Sequence, residues 1–247
     1  MAETVKKKVT SASESKKPAD EKKITEARPV GNAGGLRALA ILFWVLAIGC
    51  EVLALLFLFG QINLLPKNPQ ILWIPALILD LIFVIIGSQF WKKANRIKPA
   101  SKKNPTLFWL WNNMGLIACC VAFLPFVILV LSNKNLDKRT KVIATIAGAV
   151  ALLIAGAASY DYNPISDEEL NAAEATITSD VYWSPYGKVY HTDMDCQALT
   201  NTENLTKGTV EEAIAANRTR LCHFCEKKLQ DAGVDTSALL TDEKKDE

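Results

Sequence analysis

LRALAILFWVLAIGCEVLALLFLFG, residues 36–60, decides the architecture. It carries Arg37 at its edge and Glu51 inside, and every other residue is apolar or small. A helix needs about 20 predominantly apolar residues to cross a hydrocarbon core. A surface helix of a soluble protein would keep a polar face, and this stretch has none. Three more apolar runs follow, at 71–90, 107–131 and 142–159, the last without any charge. Four such runs in series predict four membrane-spanning helices within residues 36–160. The short links make neighbouring helices antiparallel. Trp73, Trp91, Trp109, Trp111 and Tyr160 stand near run ends, where amphipathic rings favour the membrane interface, while Trp44 lies inside the first run.

Outside the runs the chain is polar. Residues 1–35 hold eight Lys/Arg and five Asp/Glu and are poor in aromatics, so a disordered basic tail is expected. The loop at 91–106 holds six Lys/Arg, that at 61–70 only Lys67, and that at 132–141 four. Basic loops stay inside, so the N-terminus and the C-terminus are both expected in the cytoplasm, with the protein multi-pass in the cell membrane. The basic loop at 132–141 runs against this orientation. A rival path folds the third run back at Pro125, but its halves of about 12 residues are too short to cross.

Residues 161–180 are acidic, and Ser166-Asp-Glu-Glu169 is a capping box, so a juxtamembrane acidic helix or linker is expected there. Residues 181–233 then change character. Val181-Tyr-Trp183 and Lys188-Val-Tyr-His191 read as short strands about a Ser184-Pro-Tyr-Gly187 turn. Thr209-Val-Glu-Glu212 opens a second capped helix, and a third at 223–231 stops near Gly233. Residues 234–247 read as a flexible tail. His191 and Cys196 are followed by Cys222 and Cys225, all in a segment too small for an ample core. Three thiolates and an imidazole suit tetrahedral zinc, which would supply the missing stability. His191 has the better spacing as the fourth ligand, and His223, between the two thiols, is the alternative. A redox dithiol at Cys222 and Cys225 would need a thioredoxin-like βαβ context, which is not present. The expected class is therefore mainly α: a four-helix transmembrane bundle with a small α+β zinc-binding module.

The stretches VYWSPYGKVYHTDMDC (181–196) and GTVEEAIAANRTRLCHFC (208–225) resemble the zinc-binding module of Ada-type DNA-repair proteins, relatives of which are appended to bacterial nucleases and membrane proteins. The resemblance implies His191, Cys196, Cys222 and Cys225 as the ligands. The repair proteins have a methyl-accepting Cys at the first ligand position. Here it is His191, so alkyl-acceptor chemistry does not carry over. The remainder of the chain resembles four-span membrane proteins of Gram-positive bacteria, a likeness that implies no activity.

From 180 to 233 there are six Lys/Arg against eight Asp/Glu, a poor balance for phosphate backbones, so nucleic acid is not an expected partner. The histidines are His191 and His223 alone, no nuclease constellation is present, and no enzyme is expected. Glu51 and Asp80 are acids at membrane depth. At about 1.5 Å per residue, Glu51 lies roughly 22 Å from the inner edge and Asp80 roughly 14 Å from the outer edge of a core about 30 Å thick. They are expected within about one helical turn of each other in depth, as a proton or cation path or as packing groups. Ala144, Ala147, Gly148, Ala151, Ala155 and Ser159 form a small-residue face on helix 142–159, for close contact within the bundle or between two copies. The expected role is binding or scaffolding of a protein partner at the bilayer. The alternatives are a small proton- or cation-coupled transporter and a nucleic-acid-processing accessory protein.

Overall fold

The computed structural model describes residues 22–62 and 69–240. Its membrane part comprises α1 (Ala33–Leu58), α2 (Trp73–Ile97), the short α3 (Pro105–Asn112), α4 (Met114–Ser132) and α5 (Lys138–Ser159). All but α3 are long and apolar enough to cross a membrane. On α1 and α5 the burial pattern inverts that of a soluble bundle, while α2 and α4 bury Trp73, Phe123 and Phe126. Ala33, Ala40, Ala47 and Ala54, spaced by seven, face inward on α1, while Ile41, Leu42, Val45 and Val52 face out. Large aliphatics cost nothing against lipid tails, and small residues let helix backbones approach. The small-residue face of α5 is likewise taken up inside the chain. Ala144, Gly148, Ala151, Ala155 and Ser159 are buried, whereas Leu153 is 72% exposed. A Cβ on Gly148 would stand 2.8 Å from the Phe126 ring, so the glycine sets how closely α4 and α5 pack.

The single run expected at 107–131 is divided. Asn113 leaves the helical conformation (φ −103°, ψ 22°) between α3 and α4. The Trp111 carbonyl freed at the break is taken up by α2. Trp91 Nε1 (2.8 Å) and Asn95 Nδ2 (3.3 Å) donate to the Trp111 carbonyl. The side-chain amides of Asn112 and Asn113 donate to the Phe108 and Trp109 carbonyls, each at 3.0 Å. Pro125, by contrast, sits within α4 without ending it, so the chain does not fold back there.

Strand β1 (Lys23–Glu26) precedes α1 and corrects the expectation of a disordered tail at 1–35. Residues 1–21 of that expected tail lie outside the described residues. β1 pairs in parallel with β4 (Asn204–Gly208), which also pairs antiparallel with β2 (Val181–Trp183), giving the order β1-β4-β2. An open sheet edge offers unpaired N–H and C=O groups, and β1 occupies it. The chain before α1 and the chain after α5 therefore meet at one end of the bundle. Asn32 then starts α1, its Oδ1 accepting from the Gly34 (2.9 Å) and Gly35 (3.4 Å) amides.

The polar module adds α6 (Asp167–Thr176), β3 (Val189–Tyr190), α7 (Val210–Ala215), β5 (Arg220–Leu221) and α8 (His223–Asp231). Both capping boxes form, Ser166 with Glu169 and Thr209 with Glu212. One core joins Ile165, Leu170 and Ile177 to Val181, Trp183, Tyr190, Leu205, Ile214, Leu221 and Leu239. This moves the module's limits. The segment 161–180 is not a mere linker, because α6 buries Leu170 and Ala173 in that core. Residues 234–240 are not a loose tail either. Leu239 is 2% exposed, and the Leu221 amide donates to the Leu240 carbonyl at 2.7 Å. A stretch as short as 181–233 has too little apolar surface to enclose itself, and it recruits both flanks. Residues 241–247 of the expected tail lie outside the described residues.

Candidate metal centre

Four chain segments bring the ligand atoms together. β3 pairs in parallel with β5, and the Cys222 amide donates to the Tyr190 carbonyl at 3.0 Å. That register sets His191, just beyond β3, beside Cys222, just beyond β5. An antiparallel bridge between Tyr182 and His191, with both hydrogen bonds at 2.8 Å, holds the histidine backbone. Cys196 ends the intervening loop and opens a 3₁₀ turn at Gln197–Leu199. Cys222 is the N-cap of α8 and Cys225 lies in its first turn.

His191, Cys196, Cys222 and Cys225 are all buried, and their ligand atoms lie within 4.8 Å of one another. The Cys196 and Cys222 sulfurs are 3.9 Å apart, as are the Cys225 sulfur and His191 Nδ1. A disulfide would need about 2.05 Å between sulfurs. Metal–sulfur bonds of about 2.3 Å in a tetrahedron place neighbouring ligand atoms about 3.8 Å apart. The spacing is that of a metal cage. His223, weighed as an alternative ligand, is not in the cluster.

The electrostatics agree. Three crowded thiols cannot all ionise without a cation among them. Cys225 is pushed down to about 3, chiefly by its hydrogen bond with Cys222. Cys222 is pushed up, first by that same hydrogen bond and then by burial, and burial raises Cys196. A divalent ion would replace the retained protons. Backbone amides are already aimed at the sulfurs: Ala198 at Cys196, Phe224 and Cys225 at Cys222, and Thr192 at Cys225. Around the cage, Asp193 pairs with Lys228 of α8, and Lys22 donates to the Met194 carbonyl at 2.6 Å. The chain ahead of α1 thus also braces the ligand loop.

A second polar centre lies where module and bundle meet. Arg96, near the end of α2, grips Asp161 bidentately at 2.6 and 2.9 Å, with both residues 4% exposed. Arg96 Nε also donates to Asn217 Oδ1 at 3.1 Å. Asn217 follows α7 in the left-handed conformation (φ 67°), which asparagine tolerates well. Arg220 donates to Asn163 at 3.2 Å, and Arg218 to the Ser184 carbonyl at 3.1 Å. Sequence reasoning took Arg96 as one loop charge and passed over Asp161 and Asn217. The signals were faint: an Asn two residues past a helix, and an acid just after the fourth run.

Glu51 on α1 and Asp80 on α2 both turn into the interior of the bundle. They are 5% and 0% exposed. Among the described residues, neither Asp80 oxygen nor Glu51 Oε1 has a hydrogen-bond partner. Comparison of the chain with protein-family models, with curated proteins and with solved structures gives no match.

Proposed function

We propose that the protein is a membrane-anchored scaffold: a zinc-stapled module, fixed rigidly to a four-helix anchor, that presents a binding surface to a protein partner. The closed, buried cage of four ligands carries the reading. A catalytic metal keeps a position open for water or substrate, and four protein ligands leave none. Zinc suits this donor set because it accepts thiolate and imidazole together and favours a tetrahedron. His191, Cys196, Cys222 and Cys225 would hold it, and the ion would supply folding energy rather than chemistry. The resemblance to Ada-type modules favours the same ligands. The module belongs on the cytoplasmic side of a cell membrane, since the basic loop at 91–106 lies against it, Lys102 pairing with Glu169 and Arg96 with Asn217.

Full-length protein purified in detergent should carry one zinc per chain. His191→Ala should lower that content and His223→Ala should not. Unchanged zinc in the His191 variant would remove the fourth ligand. Membrane-impermeant thiol reagents on intact cells should miss residues 196–225 even after chelation, and strong labelling would reverse the orientation.

A second reading rests on Asp80, whose fully buried carboxyl lacks a hydrogen-bond partner among the described residues. Unpaired acids at membrane depth mark proton or cation paths. If flux in reconstituted vesicles depends on pH and is lost with Glu51→Gln or Asp80→Asn, transport displaces scaffolding. If both amide variants behave as the parent, the pair only packs.

A further inference from the structure

The junction between anchor and module encloses a cleft of about 460 Å³. Its walls come from the C-terminal part of α2, from residues 160–163 after α5, and from residues 215–217 at the end of α7. Four charged side chains face it: Lys92, Lys93, Arg96 and Asp161. Asp161 is consumed by the bidentate grip of Arg96. Among the described residues, Lys92 and Lys93 form no ion pair. The cleft is therefore left with two uncompensated positive charges.

Its height in the membrane is set by the same residues. Gln89 Nε2 and Lys92 Nζ both donate to the Ala158 carbonyl, at 3.0 and 2.8 Å, in the last turn of α5. Trp91 and Trp111 lie 5.2 Å apart at this end of the bundle, and Tyr160 and Tyr162 stack edge to face at 4.9 Å. Such rings collect at headgroup level. Lys92 is half-buried, with its ammonium reaching the Ala158 carbonyl at the end of α5, and Lys93 is exposed. Lys93 also lines a larger, more apolar cleft of about 780 Å³ between the β1–α1 connection and the module. Basic pockets between transmembrane helices at this level select acidic headgroups.

We propose that this cleft binds the phosphate of an anionic phospholipid, with Lys92 and Lys93 as its electrostatic contacts and the module forming its roof. The site would couple the lipid to the posture of the module, because one wall is the Asn217 turn that Arg96 already holds. This goes beyond scaffolding, and it rests on that reading only in needing the folded module as its roof.

The test is lipid binding to the full-length protein in mild detergent, followed by native mass spectrometry and by thermal unfolding. Phosphatidylglycerol should bind at least about fivefold more tightly than phosphatidylcholine. Lys92→Gln with Lys93→Gln should remove that preference. Lys98→Gln with Lys103→Gln takes the same charge from the same membrane side outside the cleft, and should keep it. Because Lys92 also caps α5, the exposed Lys93→Gln alone should lower the preference in a protein of unchanged zinc content. Equal loss in the Lys98/Lys103 variant would show diffuse attraction and overturn the proposal. So would equal binding of the two lipids. Displacement of the lipid by millimolar inorganic phosphate would make this a free-phosphate site and overturn the lipid assignment.

Discussion

The bundle buries many more small residues than the module does. Alanine, glycine and serine line the inner faces of α1 and α5, with isoleucine and leucine outside, and Trp73, Phe123 and Phe126 fill the centre. The module's centre holds Trp183, Tyr190, Leu205, Ile214 and Leu221 with three cysteines. Solvent is the cause. In lipid, apolar association gives no hydrophobic gain, so close contact between backbones must hold the helices. In water, large side chains must be hidden, and a small domain without enough of them needs a metal. The two halves should therefore fail in different ways.

The largest difference is expected at the cage. Cys222→Ser or Cys225→Ser should abolish stoichiometric zinc and unfold the module. The helices of the bundle should stay inserted, because each closes its own backbone hydrogen bonds. Metal content, protease cleavage after residue 165 and retained helical circular dichroism would check this. A chelator should reproduce it in the parent protein. A module that stays protected without metal would end the structural reading of the site.

Next comes the junction. Asp161→Ala leaves Arg96 buried without its partner, and breaking such a pair costs about 3–5 kcal/mol. Loss of the shared anchor should split thermal unfolding into separate module and bundle transitions. A single unshifted transition would mean that the halves are not coupled there.

A matched pair of truncations sharpens the contrast of solvents. Leu205→Ala, in a core position 1% exposed, should cost about 2–4 kcal/mol. Leu153→Ala, 72% exposed on the lipid face of α5, should cost under about 0.5 kcal/mol in detergent. Similar losses at both would place α5 against something other than lipid. Between these two limits falls Asn217. Asn217→Ala should cost about 1 kcal/mol through the left-handed backbone and the lost Arg96 contact. Asn217→Gly should recover the backbone part.

Much of this was legible along the chain because it rests on local patterns. Apolar length alone marks the four spans, since no soluble helix could leave so many large aliphatics without cover. Both capping boxes were readable because their partners stand three residues apart. The clustering of His191, Cys196, Cys222 and Cys225 was readable because cysteine and histidine are scarce in this segment and their spacing suits one metal. The inward turn of Glu51 and Asp80 followed from the cost of charge in lipid.

What tertiary structure alone decided depends on partners far apart in sequence. β1 looked like part of a polar tail, and only the open edge of β4 about 180 residues later makes it a strand. Asn113 breaks the third run because Trp91 and Asn95 of α2 take over the freed carbonyl of Trp111. Leu239 and α6 join the module because its core lacks enough apolar surface without them. Arg96, Asp161 and Asn217 become one buried centre only when the bundle and the module meet. A charge in a loop looks solvated in sequence, and burial by a remote segment, which local pattern does not encode, turns it into an anchor.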